Sequence, residues 1–413
     1  GAGPAGVLLA LLLARQGVEV TLLEAHTTFD RDFRGNTINP SAMEIMAEIG
    51  LVEALLQLPH VKIPRFTVQT ATESACFADF TRLKARYPFI MMLPQVSFLE
   101  LMAAEAQRYP SFHLVMGATV RELIEEQGVI RGVRYRGRDG SYEVRASLTV
   151  GADGRYSRTR RLVGLDPAEN AVPLDLLWFY LPRRQDDQAD AGAIFRLGYG
   201  GLLVLMDHFE HWQVGYIIPK GSYRRLRDAG LPALRHVIAM LAPELADRLH
   251  SLQTWNEVSL LSIESSCLRR WYLPGLLLIG DAAHPMSPVG GVGINYALQD
   301  AVVAANVLAG PLNAGKVTLR ELRAIQRRRK WPTQIIQWAQ NLSHQWLATH
   351  ALVPSTPFTL PAFLRLCLRL PILRDLPSRL IGLDLRPAHV QAGMGVADAN
   401  TSVPGPATQP MLS

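Results

Sequence analysis

Cysteine is scarce: the 413 residues hold three, Cys76, Cys267 and Cys367, with no C-x-x-C spacing. That argues against a disulfide framework and a thiolate zinc site, and it fits a reducing cytoplasm. The eleven histidines are scattered without H-x-x-x-H spacing, so no metal site is expected. No unbroken apolar run reaches membrane-spanning length. No signal peptide is visible, but there is no initiating methionine either, so the expectation is a fragment or a processed chain. Charged residues are few, 19% against 48% hydrophobic, which excludes a disordered chain. The excess of positive charge (+6, pI near 9.3) would suit nucleic acid, anionic lipid or an acidic small molecule. There is no DNA-binding motif and no arginine–aromatic pattern of an RNA module, so no nucleic-acid partner is expected. Internal repeats are lacking too. The length calls for two or three packed units.

What is present begins at the first residue. GAGPAG runs into an apolar helix over 7–16, stopped by Gly17. VEVTLLE (18–24) has the β-branched content of a strand and ends on a carboxylate. Residues 41–58 are amphipathic and read as one helix, with Ser41 as its cap. Another helix spans 98–108. Residues 113–126, 128–136 and 142–154 read as strands, with a turn at Asp139-Gly140. The texture changes near 167. Segments 174–182, 193–199, 201–208 and 211–219 read as an antiparallel meander. In the last, Trp212, Val214, Tyr216 and Ile218 alternate with His211, Gln213, Gly215 and Ile217, which implies one buried face. Helical segments follow over 223–250. Strands VSLLSI and GLLLIG and a long helix from about Asn295 restore the α/β pattern. After 345, leucine-rich segments alternate with prolines and arginines, as short helices would, and a loose tail begins near 391.

Three stretches carry chemistry. Gly1, Gly3 and Gly6 occupy G-x-G-x-x-G positions, where glycine lets backbone approach a pyrophosphate at a helix N-terminus. Glu24 ends the next strand, eighteen residues past Gly6, where a carboxylate accepts hydrogen bonds from an adenosine ribose. In VGADGRYSRTR, Asp153-Gly154 follows an apolar strand; a surface turn with a basic stripe is the plainer alternative. In LLLIGDAAHPMSPVGGVGIN, a buried-type strand ends in Gly280-Asp281, and Asp281 can bond a sugar-like hydroxyl outside the carboxyl ends of the sheet. Pro288, Gly290, Gly291 and Gly293 then precede a helix, where backbone amides can cradle a polar ring edge or phosphate.

Taken together these motifs resemble the FAD-dependent aromatic hydroxylases, the single-component flavoprotein monooxygenases of the para-hydroxybenzoate hydroxylase type. The resemblance runs from residue 1 to about 345. It implies that Gly1, Gly3 and Gly6 hold the FAD pyrophosphate and Glu24 the ribose. It implies that the D-G-x-x-S-x-x-R set, Asp153, Gly154, Ser157 and Arg160, serves FAD and NAD(P)H. Asp281 of Gly280-Asp281 would contact the ribityl chain, and the loop from Pro288 to Asn295 would lie by the flavin ring. RDFRGNTINPSAMEIMAEIGL resembles a segment whose arginine lies near the diphosphate, here Arg34. MMLPQVSFLELMAAEA resembles one that reaches the cofactor through Gln95. The alternatives are an ordinary surface arginine and a helix-start glutamine.

The implied fold is α/β. A doubly wound, Rossmann-like FAD-binding domain (1–60, 88–166 and 257–345) is interleaved with an antiparallel-sheet substrate domain (61–87 and 167–256). A helical region and tail (346–413) follow. The implied activity is a monooxygenase that uses NAD(P)H and O2 to hydroxylate an aromatic or similarly electron-rich small molecule through a flavin C4a-hydroperoxide in a dry pocket. Trp178, Tyr180, Phe195, Trp212 and Tyr216 supply aromatic walls or core. His208 and His211, at a hairpin, read as solvated. His284 reads as a structural hydrogen-bonder, and no catalytic residue is assigned. The arginine clusters, RRRK (327–330) included, read as solvated faces. Docking of the C-terminal segment on a membrane surface is the sharper alternative. Epoxidase, reductase and halogenase chemistry on the same scaffold, or non-catalytic FAD binding, are the rivals. In a doubly wound sheet a central strand precedes the glycine fingerprint. The sequence starts after that position, so its neighbours' unpaired amides, at about 1–3 kcal/mol each, are expected to weaken flavin binding. An upstream strand is expected to raise occupancy.

Overall fold

The computed structural model describes residues 1–30, 37–170, 172–184, 187, 192–352, 365 and 370–391. Arg34 and the tail from 392 lie outside the described residues, as does most of the leucine- and arginine-rich segment 353–369.

PAGVLLALLLA is apolar all round, and a helix of that kind can only be buried. Pro4–Ala14 is accordingly core, with Val7, Leu8, Leu11 and Leu12 fully buried. It packs against the helices Gln95–Ala106 and Gly293–Asn313. The helical stretch Val289–Asn313 that contains the latter is long and apolar enough to cross a membrane, but most of it is buried inside the protein. Around this centre stand two parallel strand pairs, Val20–Glu24 with Phe112–Met116 and Thr149–Gly151 with Leu276–Leu278. The two pairs belong to separate sheets, and among the described residues no strand joins them.

The second body is a seven-stranded sheet. Its order is Ser259–Ser262, Leu174–Pro182, His211–Pro219, Gly201–His208, Ala193–Gly198, Arg65–Gln69, Ser74–Asp79. The expected meander is present. One pairing departs from it: Ala193–Gly198 runs parallel to Arg65–Gln69. Alternation sends Leu177, Phe179, Trp212 and Val214 to one face, where they form a core with Leu234 and Ile238 of the helix Leu231–Leu241. Trp178, Phe195, Leu202 and Ile217 point to the other face. Trp212 and Tyr216 therefore belong to the helix-covered side and are not pocket walls.

The single helix expected over 41–58 is two, Pro40–Glu48 and Val52–Gln57. Gly50 interrupts them at φ 75°, a conformation that a residue with a Cβ adopts only at a cost. The long helix Leu319–Trp346 starts in a capping box: Thr318 accepts from the Arg320 amide and Glu321 reaches back to Thr318.

Candidate active site

One open cavity of about 1790 Å³ runs along the parallel strands Val20–Glu24 and Thr149–Gly151, past their C-terminal ends, to the open face of the seven-stranded sheet. Gly1, Gly3 and Gly6 line its floor. A Cβ on Gly6 would lie 2.0 Å from the Gly1 carbonyl oxygen, and one on Gly1 would lie 2.8 Å from the Ala152 oxygen. Only glycine permits this stacking of backbone on backbone. Gly3 caps the helix in an extended conformation, and the first-turn amides have no carbonyl one turn back to bond. That is a cradle for an anion.

Glu24 is 3% exposed and lines the same floor. Its Oε2 accepts from the Ala2 amide at 2.8 Å, and its Oε1 accepts from the His26 amide at 3.0 Å and meets His26 Nδ1 at 2.7 Å. The carboxylate thus fixes the fingerprint loop to the end of its strand. A carboxylate has about four acceptor sites, so these bonds do not preclude ribose hydroxyls.

Asp153 is the hub of its loop. Oδ1 accepts from Ser157 Oγ at 2.5 Å, and Oδ2 accepts from the Thr159 amide and hydroxyl at 2.8 and 2.9 Å. Ser157 Oγ in turn accepts from the Arg160 amide and caps the short helix Arg158–Leu162. Asp153 and Gly154 line the cavity, whereas Arg160 stands behind the wall. Its guanidinium, 8% exposed, donates to the Ala282 carbonyl at 3.0 Å and the Arg155 carbonyl at 2.9 Å. Burial lowers its pKa from the ordinary arginine value. Arg160 therefore ties the Asp153 loop to the Gly280-Asp281 loop.

Gly280 takes φ 58° at the turn out of the strand Leu276–Leu278, and Asp281 lines the cavity beside Pro288, Gly290, Gly291 and Gly293. A Cβ on Gly291 would strike Thr37 Oγ1 at 2.4 Å, while at Gly293 it would meet open space. Asn295, 2% exposed, holds this loop from behind: Nδ2 donates to the Gly291 carbonyl at 3.0 Å and Oδ1 accepts from the Asn39 amide at 2.8 Å. Gln95, at the start of its helix, reaches the cavity. His208, whose pKa burial lowers, lies beside Tyr180 at the hairpin with the two rings tilted by 40°, and His211 is exposed there.

Sequence reasoning missed a buried layer behind these loops. Asp300, fully buried, accepts from the Gly280 amide at 2.9 Å, from His284 Nε2 at 2.5 Å and from Arg329 Nε at 2.8 Å. Burial alone would raise its pKa, but His284 and Arg329 outweigh burial and hold the carboxyl below its ordinary value. Arg329 is 1% exposed, so one member of RRRK is core and not a solvated face. The signal available was Gln299-Asp300 amid apolar helix positions. Farther along the long helix, Gln337 donates to the Pro285 carbonyl at 3.0 Å and Gln340 to the Val289 carbonyl at 2.8 Å. His344 Nε2 meets Ser287 Oγ at 2.9 Å.

The glycine cradle, the buried carboxylate on the floor and the glycine loop beside an apolar wall fit a dinucleotide that carries a flat ring. Comparison with known proteins decides which. The family model described as "FAD binding domain" matches residues 1–339. The chain belongs to this family. It is an FAD-dependent oxidoreductase. It is 35% identical over 337 residues to 6-methylpretetramide 4-monooxygenase of Streptomyces rimosus, covering 81% of this chain and 80% of the relative. It is 26% identical over 331 residues to squalene epoxidase 3 of Arabidopsis thaliana, covering 75% of this chain but only 59% of that one. Its backbone superposes on p-nitrophenol 4-monooxygenase PnpA from Pseudomonas putida with a TM-score of 0.71, at 19% identity and 92% coverage of both chains. At that identity the likeness is one of fold.

Proposed function

We propose that this chain is a cytoplasmic monooxygenase that uses NAD(P)H and O2 to hydroxylate an aromatic small molecule at FAD. The observation that carries the reading is the continuity of one cavity from the glycine cradle to the apolar sheet face, so that a ring bound at one end meets a substrate held at the other. FAD, when bound, supplies the electron transfer and the activation of oxygen.

This chain's own residues supply binding, orientation and dryness. Gly1, Gly3, Gly6 and the helix end behind them take the diphosphate, Glu24 the ribose, and Asp281 the ribityl hydroxyls. Asp153, Gly154 and Gln95 complete the cofactor wall. The loop from Pro288 to Gly293 meets the ring edge with backbone amides. Arg160 and Asn295 hold these loops without touching the ligand. Trp178, Phe195 and their aliphatic neighbours exclude water from the reacting atoms, which protects an activated oxygen from hydrolytic loss. The squalene epoxidase relative supports a second reading, oxygen transfer to an alkene in the same apolar pocket.

The test is NAD(P)H oxidation by the flavin-loaded protein under 18O2 with phenols, polycyclic aromatics and terpenes. Label in a ring hydroxyl supports the proposal. Label in an epoxide selects the second reading. NAD(P)H oxidation without oxygen uptake would point to a reductase and refute both.

A further inference from the structure

The sheet wall of the cavity is apolar at every described position but one. Lining residues come from the seven-stranded sheet's open face, among them Leu176, Trp178, Phe195, Leu202 and Met206, and the exception is Gln213. Strand register puts Gln213 between Tyr180 on one neighbouring strand and Met206 on the other. Its sequence neighbours Trp212 and Val214 are in the opposite core, so the amide lies on the cavity face. Gln213 is 4% exposed, and its Oε1 has no hydrogen-bond partner among the described residues. A buried amide oxygen without a donor is destabilising, and natural folds keep few of them. Gly215, two residues on, makes room for the ring beside it: a Cβ there would lie 2.8 Å from the Trp178 indole.

We propose that Gln213 is the specificity-determining residue of the substrate pocket. Its Oε1 is buried as placed, and rotation of the terminal amide presents it to a neutral donor on the substrate, a phenolic hydroxyl or an amide N–H, while Trp178 and the aliphatic wall cover the rest of the ring system. The assignment rests on the aromatic hydroxylase reading and names its substrate class: neutral, donor-bearing and broader than one ring. Breadth follows from the wall, because lining residues on all seven strands at ~4.8 Å spacing span ~29 Å. Neutrality follows from charge. The described lining residues of this face include no cation, and an anion moved there would lose its hydration without a counter-charge. A site built to hydrogen-bond a donor discriminates strongly against the analogue that lacks it.

The test compares three ligands of one ring system, 2-naphthol, 2-methoxynaphthalene and 2-naphthoate, at pH 7. Each is titrated into flavin-loaded wild type, Q213M and Q213N, read by the flavin difference spectrum and by calorimetry. Wild type is expected to bind 2-naphthol best and 2-naphthoate worst. Q213M should lose about tenfold in affinity for 2-naphthol and nothing for the methyl ether. Q213N, which withdraws the amide by one methylene, should fall between. Flavin content and melting temperature of Q213M should match or exceed wild type, since the orphaned oxygen is gone. Undiminished 2-naphthol binding by both variants, or equal losses for the hydroxyl and ether, overturns the assignment alone. If no ligand of this or a wider aromatic set binds wild type, the aromatic reading itself fails and takes the assignment with it.

Discussion

Gly6 has no space for a side chain, because a methyl group there would meet the Gly1 carbonyl at 2.0 Å. The helix start would have to shift away from the cradle. Gly6→Ala is expected to cut FAD occupancy at least tenfold, measured as released flavin per chain after denaturation, and the far-ultraviolet dichroism should be retained. Asp300 is a second single-residue dependency. Asp300→Asn leaves the Arg329 charge buried without its main partner, a loss of about 3–5 kcal/mol, to be read from urea unfolding at pH 7. The glycine positions were legible because backbone approach demands glycine whatever the tertiary context. Arg329 was not. Within RRRK nothing local separates it from Arg327 and Arg328, which are exposed, and only the partner on a different helix makes burial tolerable.

On the helix Leu319–Trp346, Gln337, Gln340 and His344 fall at i, i+3 and i+7, one stripe facing the loop from Pro285 to Val289. The stripe clamps the segment that enters the glycine loop. Gln340→Leu removes the donor from two loop carbonyls, Ser287 and Val289, and should cost about 1–3 kcal/mol with faster flavin release in a dilution assay. His344 gives the clamp a pH limit. Burial lowers its pKa to about 4 from an ordinary 6.5. Above pH 6.5 the ring is neutral folded or unfolded, so stability is unaffected. As pH falls toward 4 the unfolded chain takes up the proton and the folded one does not, and stability is lost across that window. Between pH 7 and 4.5 the loss from this group should be about 2 kcal/mol, and it should vanish in His344→Gln when the two urea midpoints are compared. The stripe escaped sequence reading because it is polar, and polar stripes on long helices usually face water. The break at Gly50 escaped for the opposite reason: the apolar periodicity continues across it, and a lone glycine inside a helical pattern does not by itself end a helix.

At the scale of the molecule, the order of strands and helices was legible, since texture changes mark where the chain passes from parallel α/β to meander and back. Which face of the meander looks into the cavity was not. Alternation assigns Trp212 and Gln213 to opposite sides but cannot say which side meets the cofactor, and the helix Leu231–Leu241 decides it by covering the Trp212 side. On the proposed reading the parallel-strand body holds the cofactor and the seven-stranded sheet the substrate, so the two ligands meet in one cavity. That predicts coupling. A bound aromatic ligand should perturb the absorption of the flavin, and occupancy of the flavin site should in turn tighten the aromatic ligand, by linkage.

The most direct measurement is the stoichiometry of FAD on the purified, reconstituted chain with a strand supplied ahead of Gly1, with Gly6→Ala beside it in the same background. One FAD per chain in the wild type and a small fraction of that in the variant is the predicted result. A wild type that stays colourless after incubation with FAD, or a variant that binds as much, would contradict the claim that these loops meet on one cofactor.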